Sequence, residues 1–259
     1  MNEENGVFSS IEDAIADIRN GKMVVVVDDR ERENEGDIVV AAERVTADDV
    51  NFMVRFARGL VCVPISPEQA ERLRLQHMVP DSTERHGTAF TVSVDAKEGT
   101  TTGISAEERA LTARLLANPD AKPEDFLRPG HIFPLIGKKG GVLKRAGHTE
   151  AAIDLARLSG LTPAGVICEI MSEDGSMARL PELLPFVRRH GLRIVSIEDL
   201  IRYRIVRENL VERFVEVKLP TACGEFMAYG YRSVIEEGGD TTHIALVKGD
   251  IRNRENVLV

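Results

Sequence analysis

The chain of 259 residues contains no tryptophan and few aromatic residues, which make up 5% of the sequence. Hydrophobic residues still reach 43%, so aliphatic side chains must form most of the core of one large domain, or of one domain plus a fragment. No apolar run approaches the roughly 20 residues of a membrane-spanning helix, and residues 1–10 contain no apolar signal segment. These absences predict a compact cytoplasmic protein with no membrane partner.

Cysteine and concentrated positive charge are scarce as well. Cys62, Cys168 and Cys223 are odd in number, far apart and without the spacing of a zinc site, which argues against a disulfide framework and a zinc centre. The formal net charge is -9 and no long basic run offsets it, so a protein that binds nucleic acid by neutralising phosphates is disfavoured. A local basic pocket for a small phosphate stays open.

Apolar runs of strand type alternate with amphipathic segments that begin at helix-capping residues. The expected N-caps are Ser10, Thr46, Ser66, Ser105 and Thr149. This alternation indicates an α/β protein, with a sheet covered by helices. Residues 88–94 and 131–135 are predicted to be extended, with proline breaks between them.

The pattern changes after Arg207 to alternating apolar and polar residues with glycine turns, which predicts a β meander. The segment is too short for a complete domain. We therefore place a boundary near residue 207, with a larger domain over residues 1–207 and a short β-rich segment over residues 208–259.

The most charged stretch follows four consecutive valines, and it places six carboxylates within residues 28–37. A buried strand would deliver this acidic loop to the end of a sheet, where the carboxylates need water, arginine or a divalent cation. If the loop is extended, Arg32 and Asn34 point one way and Glu33 and Glu35 point the other. One side could then bind a cation and the other an anion. The alternative is a solvated charge run.

A second candidate is the run Arg145-Ala146-Gly147-His148-Thr149, which precedes a predicted helix. Glycine allows a close backbone approach, free N–H groups at a helix start attract anions, and Arg145 adds a planar fork of donors. The run resembles a phosphate site in outline. His148 could bind a metal, or it could be a cap or a surface residue.

His131 and Glu169 form the third set, because each interrupts an apolar stretch. Both are candidates for proton transfer, while a structural carboxylate paired with an arginine is the alternative for Glu169. A cation site, a phosphate site and two possible acid/base groups on one α/β unit together favour an enzyme that acts on a small phosphorylated molecule.

Six motifs occur in one order and resemble those of the 3,4-dihydroxy-2-butanone 4-phosphate synthase family. They lie at residues 28–37, 86–95, 101–106, 131–135, 145–151 and 165–170, and the resemblance covers about residues 7–205. It implies a three-layer sandwich with a mixed sheet and a homodimer with the active site near the interface. The implied activity is the conversion of D-ribulose 5-phosphate to L-3,4-dihydroxy-2-butanone 4-phosphate and formate in riboflavin biosynthesis, which is a lyase reaction.

The resemblance also assigns roles by position. It implies that Glu33 and His148 hold Mg²⁺ or Mn²⁺ and that His131 and Glu169 are catalytic. The implied substrate-binding residues are Arg32, Glu33, Asp37, Arg145, Ala146, Gly147, His148, Thr149 and Glu169. Asp28, Asp29 and Glu31 are then expected to be supporting or solvent-facing groups.

Residues 219–226 and 245–251 resemble the opening of GTP cyclohydrolase II, which is fused behind the synthase in bifunctional members. The sequence lacks that family's zinc-binding cysteine cluster, so we expect neither zinc nor cyclohydrolase activity in this chain. A shortened chain and a degenerate segment both stay open. A non-catalytic phosphate-binding domain or a scaffold is the alternative function, disfavoured because Glu33, His148, His131 and Glu169 are all present.

Overall fold

The structure, a computed structural model, describes residues 7–235, 242–251 and 254. These residues form two compact units, one ending at Tyr203 and the other starting at Arg204. The first contains a seven-stranded sheet and the second a three-stranded antiparallel sheet. In the described residues, no helix is both long enough and apolar enough to cross a membrane.

Helices and strands alternate along the first unit as expected. The helices are α1 (Ile11–Arg19), α2 (Ala47–Phe52), α3 (Pro67–Arg72), α4 (Ala106–Ala117), α5 (His148–Leu158), α6 (Leu180–His190) and α7 (Ile197–Arg207), and a π-helix, Met53–Ala57, continues α2. The strands of the first unit are β1 (Val24–Val27), β2 (Gly36–Ala41), β3 (Cys62–Ile65), β4 (Val94–Ala96), β5 (Phe126–Ile136), β6 (Gly165–Glu169) and β7 (Arg193–Ser196).

The sheet is mixed, and its strand order is β4-β5-β3-β6-β2-β1-β7. The pairs β1–β7 and β3–β5 are parallel, whereas β1–β2, β2–β6, β3–β6 and β4–β5 are antiparallel. Aliphatic side chains from alternate positions of the strands enter two separate cores, one on each face. Helices α1, α5 and α7 cover one face, and α2, α4 and α6 cover the other. The predicted three-layer α/β sandwich is confirmed.

The local capping signals decide where four of the helices begin. Ser10, Thr46, Ser66 and Ser105 each accept a hydrogen bond from a backbone N–H in the first turn. The prediction that Thr149 caps α5 is wrong, because Gly147 occupies the N-cap position and no side chain among the described residues caps this helix. Within that part of the chain, the first N–H groups of α5 therefore have no side-chain acceptor.

Two predictions about extended segments need correction. Within residues 88–94 only Val94 belongs to a strand, β4, whereas Phe90 and Thr91 form isolated bridges. One reason is Pro134, which accepts a hydrogen bond from the Thr91 N–H but has no N–H to donate in return. Strand β5 extends well beyond residues 131–135 and includes Pro129. The strand can contain this proline because the register between β4 and β5 shifts between Val94 and Asp95, so that Pro129 has no paired residue on β4.

The register of the central strands brings the predicted site residues to one end of the sheet. Asp37 on β2 is paired with Glu169 on β6, so their side chains leave the same face. Cys62 on β3 is directly opposite Ile167 on β6 and Phe133 on β5. Glu169 lies two residues after Ile167, and His131 lies two residues before Phe133. Because β5 and β6 run in opposite directions, Glu169 and His131 are on the same face and at the same end of the sheet, roughly 10 Å apart across β3.

The second unit contains β8 (Val211–Thr221), β9 (Gly224–Ser233) and β10 (Thr242–Val247). They pair in the order β10-β9-β8 with antiparallel neighbours, so the predicted meander is confirmed. Helix α7 continues without a break to Arg207. The domain boundary near residue 207 stays a prediction.

The burial of α1 gives a test of the core. We expect Ile18→Ala to lower the free energy of unfolding by about 2–5 kcal/mol, because Ile18 is fully buried and the change leaves a cavity. The matched control is Ile205→Ala, where the side chain is 55% exposed and the change should stay within about 0.5 kcal/mol. Urea denaturation followed by circular dichroism measures both, and equal losses would contradict this packing.

Candidate active site

The acidic loop between β1 and β2 is folded around the carboxylate of Asp28. This side chain is fully buried, accepts hydrogen bonds from the backbone N–H groups of Glu33 (3.0 Å) and Glu35 (2.8 Å), and pairs with Arg32 (2.9 Å). A buried carboxylate that accepts several such bonds is well compensated for its lost hydration. Asp28, expected to be a supporting or solvent-facing group, is thus the residue that shapes the loop.

The loop is a turn, so the alternation expected for an extended segment is wrong. Backbone bonds from Arg32 and Asn34 both reach the carbonyl of Asp29, and Asn34 has a φ of 56°. Arg32 consequently pairs with its neighbour Glu33 (2.9 Å) instead of facing away from it. Arg179, at the start of α6, donates to the carbonyls of Glu33 (2.7 Å) and Asn34 and fixes the loop from outside.

Helix α5 brings His148 to the acidic loop and to β2. The His148 Nδ1 atom lies 3.5 Å from a Glu33 carboxylate oxygen, and its Nε2 atom lies 3.8 Å from Asp37 Oδ1. Both His148 Nε2 and Asp37 Oδ1 are buried and have no hydrogen-bond partner in the described part of the chain. Two buried polar atoms that face each other at this distance without a bond indicate a place for a missing group.

The same three residues have unusual electrostatics. Burial alone would raise the pKa of Glu33, but contact with His148 and the charge of Arg32 lower it to about 2. Burial, together with the charges of Glu169, Glu33 and Glu35, raises the pKa of Asp37 to about 7 despite the opposing effect of His148. Burial would lower the pKa of His148, whereas the Asp37 carboxylate and its neighbours raise it to about 9.

These residues fit a divalent cation. Ligand atoms of Asp28, Glu33 and His148 all lie within 4.8 Å of one another. Carboxylate oxygens suit Mg²⁺ and Mn²⁺, and a neutral imidazole nitrogen suits Mn²⁺ as well. The unpartnered atoms of His148 and Asp37 support the fit, because a cation would give buried ligands the partner that they lack.

The start of α5 also offers anion donors. Among the described residues, nothing accepts a hydrogen bond from the backbone N–H groups of His148, Thr149 or Glu150. Three free N–H groups at the positive end of an 11-residue helix are suited to a phosphate. Gly147 precedes them, and the neighbouring Ala146 is exposed.

Arg145 is less available than its sequence position suggests. Its guanidinium pairs with the buried Glu150 carboxylate (2.6 Å) and donates to Thr88 Oγ1 (3.0 Å) and the His86 carbonyl (3.2 Å). Arg145 therefore ties the loop of residues 84–88 to α5. The His86 ring in that loop lies 4.0 Å from Glu33, which brings the loop beside the acidic cluster.

Glu169 ends β6 and is partly exposed. Its Oε2 atom accepts a hydrogen bond from the backbone N–H of Leu60 (2.8 Å). Within the described residues no arginine pairs with it, so the alternative of a structural arginine pair does not describe Glu169. Glu169 is paired with Asp37 across β6 and β2, and its charge helps to raise the pKa of both Asp37 and Glu35.

His131 stands apart from this cluster. It lies on β5, its side chain is 46% exposed, and its Nδ1 atom is 2.8 Å from Asp95 Oδ2. The other Asp95 oxygen accepts from the His131 backbone N–H (2.8 Å), so one buried carboxylate holds both the main chain and the ring. Such a pair fixes which ring nitrogen faces outward.

The structure thus brings Glu33, Asp37, His148 and Glu169 together and places His131 two strands away on the same face. Reasoning from the sequence missed the supporting residues. Those are Asp28 as a hub, Asp95, Arg179 and His86. Asp28 was expected only as a supporting or solvent-facing group, and His86 and Asp95 were part of a recognised motif without an assigned role. Arg179 had no signal in the sequence.

A cleft of about 820 Å³ lies next to the acidic loop but outside this cluster. It is lined by Asp28, Glu35 and Ala146 on one side and by the starts of α6 and α7 on the other. Glu33, Asp37, His148 and Glu169 are not among its lining residues. The candidate site is therefore defined by its ligand geometry and not by this cleft.

The two families that match this chain correspond to its two units. Residues 12–203 match the profile of 3,4-dihydroxy-2-butanone 4-phosphate synthase, and residues 212–259 match that of GTP cyclohydrolase II. A curated relative, riboflavin biosynthesis protein RibBA of Aquifex aeolicus, is 55% identical over 97% of this chain and 62% of its own length. A probable bifunctional riboflavin biosynthesis protein of rice is 59% identical over 97% of this chain and 45% of its own length. The chain thus spans less than two thirds of these relatives.

Solved structures are similar over most of the chain. RibBX of A. baumannii, described as a two-domain 3,4-dihydroxy-2-butanone 4-phosphate synthase, is 51% identical with a TM-score of 0.82, over 93% of this chain and 70% of that one. A 3,4-dihydroxy-2-butanone 4-phosphate synthase in complex with two magnesium ions is 47% identical with a TM-score of 0.74, over 77% of this chain and 98% of that one.

The Asp95–His131 contact makes a prediction about the imidazole. We expect the neutral ring to carry its proton on Nδ1, because the Asp95 carboxylate can only accept there. Nitrogen-15 NMR of the imidazole should show this tautomer, and Asp95→Asn should shift the population toward the Nε2–H form. Asp120→Asn, at an exposed carboxylate elsewhere, serves as the control. An unchanged spectrum in Asp95→Asn would contradict the assignment.

Proposed function

Because the chain belongs to the 3,4-dihydroxy-2-butanone 4-phosphate synthase family, we propose that it converts D-ribulose 5-phosphate to L-3,4-dihydroxy-2-butanone 4-phosphate and formate in riboflavin biosynthesis. One observation carries the proposal: the candidate metal pair, Glu33 and His148, lies at the start of α5 next to Asp37, and Asp37 is paired across the sheet with Glu169. A site that only binds a phosphate has no use for these carboxylates.

The phosphate end of the substrate would bind the N–H groups at the start of α5. His148, Thr149 and Glu150 supply these donors, and the helix dipole adds favourable charge. Arg145 contributes mainly by holding the loop of residues 84–88 in place, since most of its own N–H groups already have acceptors. Anchoring the phosphate fixes the distance from it to the carbons that react.

Glu33 and His148 would hold the cation, which we propose to be Mg²⁺ or Mn²⁺, with Asp28 close by. A bound divalent cation would polarise the substrate oxygens and stabilise negative charge that develops on them. Asp37 and Arg32 border the same space and are suited to hold the substrate's hydroxyl groups by hydrogen bonds. The polar end of the sugar is then bound through side chains and the phosphate through main chain.

Proton transfer falls to the chain's own acids and bases. Glu169 would accept the proton from C3 of the substrate through its free oxygen, and His131 would return protons through the ring nitrogen that faces away from Asp95. Loss of water, migration of the carbon skeleton, hydration and release of C4 as formate follow in the proposed sequence. No external oxidant is needed, because the atoms of the substrate are divided between the two products.

We further propose a homodimer with the active site near the interface. Two observations support it: the His131 ring is 46% exposed on the site's face, and Leu60, beside Glu169, is 44% exposed. A second copy could cover both. The candidate ligands Glu33 and His148 come from one chain, since they are 3.5 Å apart within it.

The proposal assigns no GTP cyclohydrolase II activity to this chain. Residues 212–259 match that family, but the sequence contains only three cysteines, and Cys223 is the only one of them in that region. A cysteine cluster for zinc cannot be formed from them.

The direct test is formate release from D-ribulose 5-phosphate. We expect stoichiometric formate in the presence of Mg²⁺, loss of turnover after thorough chelation with EDTA, and recovery when Mg²⁺ or Mn²⁺ is restored. Coupled formate dehydrogenase measures the rate. Activity unchanged by chelation would exclude the metal role, and no formate under any condition would favour the binding-only alternative.

A second test addresses the metal ligands apart from turnover. His148→Ala should weaken Mn²⁺ binding at least about tenfold, because it removes one of few protein ligands. Titration calorimetry measures the affinity, and His77→Ala, which removes an exposed histidine outside the cluster, should leave it unchanged. An unaltered isotherm in His148→Ala would remove His148 from the ligand set.

A further inference from the structure

The backbone of residues 57–60, which we call the 57–60 segment, surrounds the end of β6 where Glu169 lies. We propose that this segment positions the Glu169 carboxylate, with the Leu60 N–H fixing one oxygen and Gly59 making the close approach possible. The inference rests on the proposed role of Glu169 as the group that accepts the substrate proton. It concerns residues that would act through Glu169 without touching the substrate.

The first observation is the asymmetry of the Glu169 carboxylate. Oε2 accepts the Leu60 N–H at 2.8 Å, whereas Oε1 accepts no hydrogen bond from any residue that the structure describes. A carboxylate held by one oxygen keeps its rotamer and presents the other oxygen in a fixed direction. This arrangement is what a positioned base needs.

The second observation is the space around Gly59. A Cβ atom at this position would lie 2.5 Å from Glu169 Oε2, and it would also overlap the Glu169 main chain. The backbone of Gly59 has no positive φ that would require glycine. Glycine is therefore needed here for its missing side chain, which lets the chain pass directly against Glu169.

The third observation explains why the segment holds this path. The π-helix Met53–Ala57 ends at Arg58, which has a left-handed φ of 72°. Met171 donates its N–H to the Ala57 carbonyl (2.8 Å), and the Arg58 guanidinium donates to the Met171 carbonyl (3.0 Å). These bonds join the segment to the chain just after Glu169, so the Leu60 N–H and the carboxylate keep their separation.

A π-helix adds one residue to a turn, and such insertions are frequent at functional sites. Here the widened turn and the left-handed Arg58 redirect the chain, so that Gly59 and Leu60 reach the end of β6 before β3 begins. Packing alone does not require a donor aimed at a carboxylate. We infer that the irregular turn serves the orientation of Glu169.

The test begins with Gly59→Ala, in which the added methyl group must push the carboxylate aside. We expect kcat to fall at least tenfold while KM for D-ribulose 5-phosphate stays within about threefold, since a misdirected base affects the reaction more than binding. The control is Gly160→Ala, at a φ of +75° with nothing within 4 Å. It makes the same chemical change and strains the backbone far from Glu169, so it should lower Tm and leave kcat unchanged.

The decisive comparison uses a Glu169→Gln background. If Gly59 acts through Glu169, Gly59→Ala should change the residual kcat by less than twofold in that background. A further tenfold loss there would show a general structural effect and overturn the inference. Wild-type kcat in a folded Gly59→Ala protein would overturn it as well.

A second variant covers the case in which Gly59→Ala does not fold. Incorporating the α-hydroxy acid of leucine at position 60 replaces the amide by an ester. This change removes the N–H donor and keeps the leucine side chain. We expect the same fall in kcat with KM maintained, and unchanged kcat would refute the role of Leu60. A wild-type protein that releases no formate would instead refute the proposed function, so the two failures are distinguishable.

Discussion

The site depends on a concentration of negative charge that the sheet itself imposes. The register of β2 against β6 places Asp37 beside Glu169, and the turn around Asp28 adds Glu33 and Glu35 at the same end. Burial makes such charges costly unless cations accompany them. Within the described residues His148, Arg32 and Arg179 supply positive charge, while burial and the neighbouring carboxylates still raise the pKa of Asp37. The cluster therefore fits the cation that we propose for it.

The two faces of the sheet contribute different parts of the candidate site. Helix α5 covers the face that carries Asp37 and Glu169, and its first turn provides both an imidazole and free N–H groups. In the proposed function this one helix start would bind the metal through His148 and the phosphate of the substrate through its N–H groups. The opposite face contributes the π-helix, whose irregular end reaches around the sheet to Glu169.

Sequence reasoning succeeded where the signal was local or carried by an ordered set of motifs. The capping boxes at Ser66 and Ser105 need only neighbours three residues away, so their helices could be predicted. The path of the acidic loop could not, because it depends on which backbone groups the Asp28 carboxylate accepts. The Asp95–His131 pair spans 36 residues and a register shift in the sheet, which no local pattern indicates. The roles assigned to the site residues remain predictions.

The position of Asp37 has a consequence for motion. Its strand is hydrogen-bonded on both sides, to β1 and β6, so its backbone can open only when the centre of the sheet opens. Its amide should therefore exchange with solvent deuterium among the slowest in the chain. The loop of residues 84–88 is fixed by side-chain contacts instead, so its backbone should open more often. The candidate site would then combine a face that opens rarely with a rim that opens more readily.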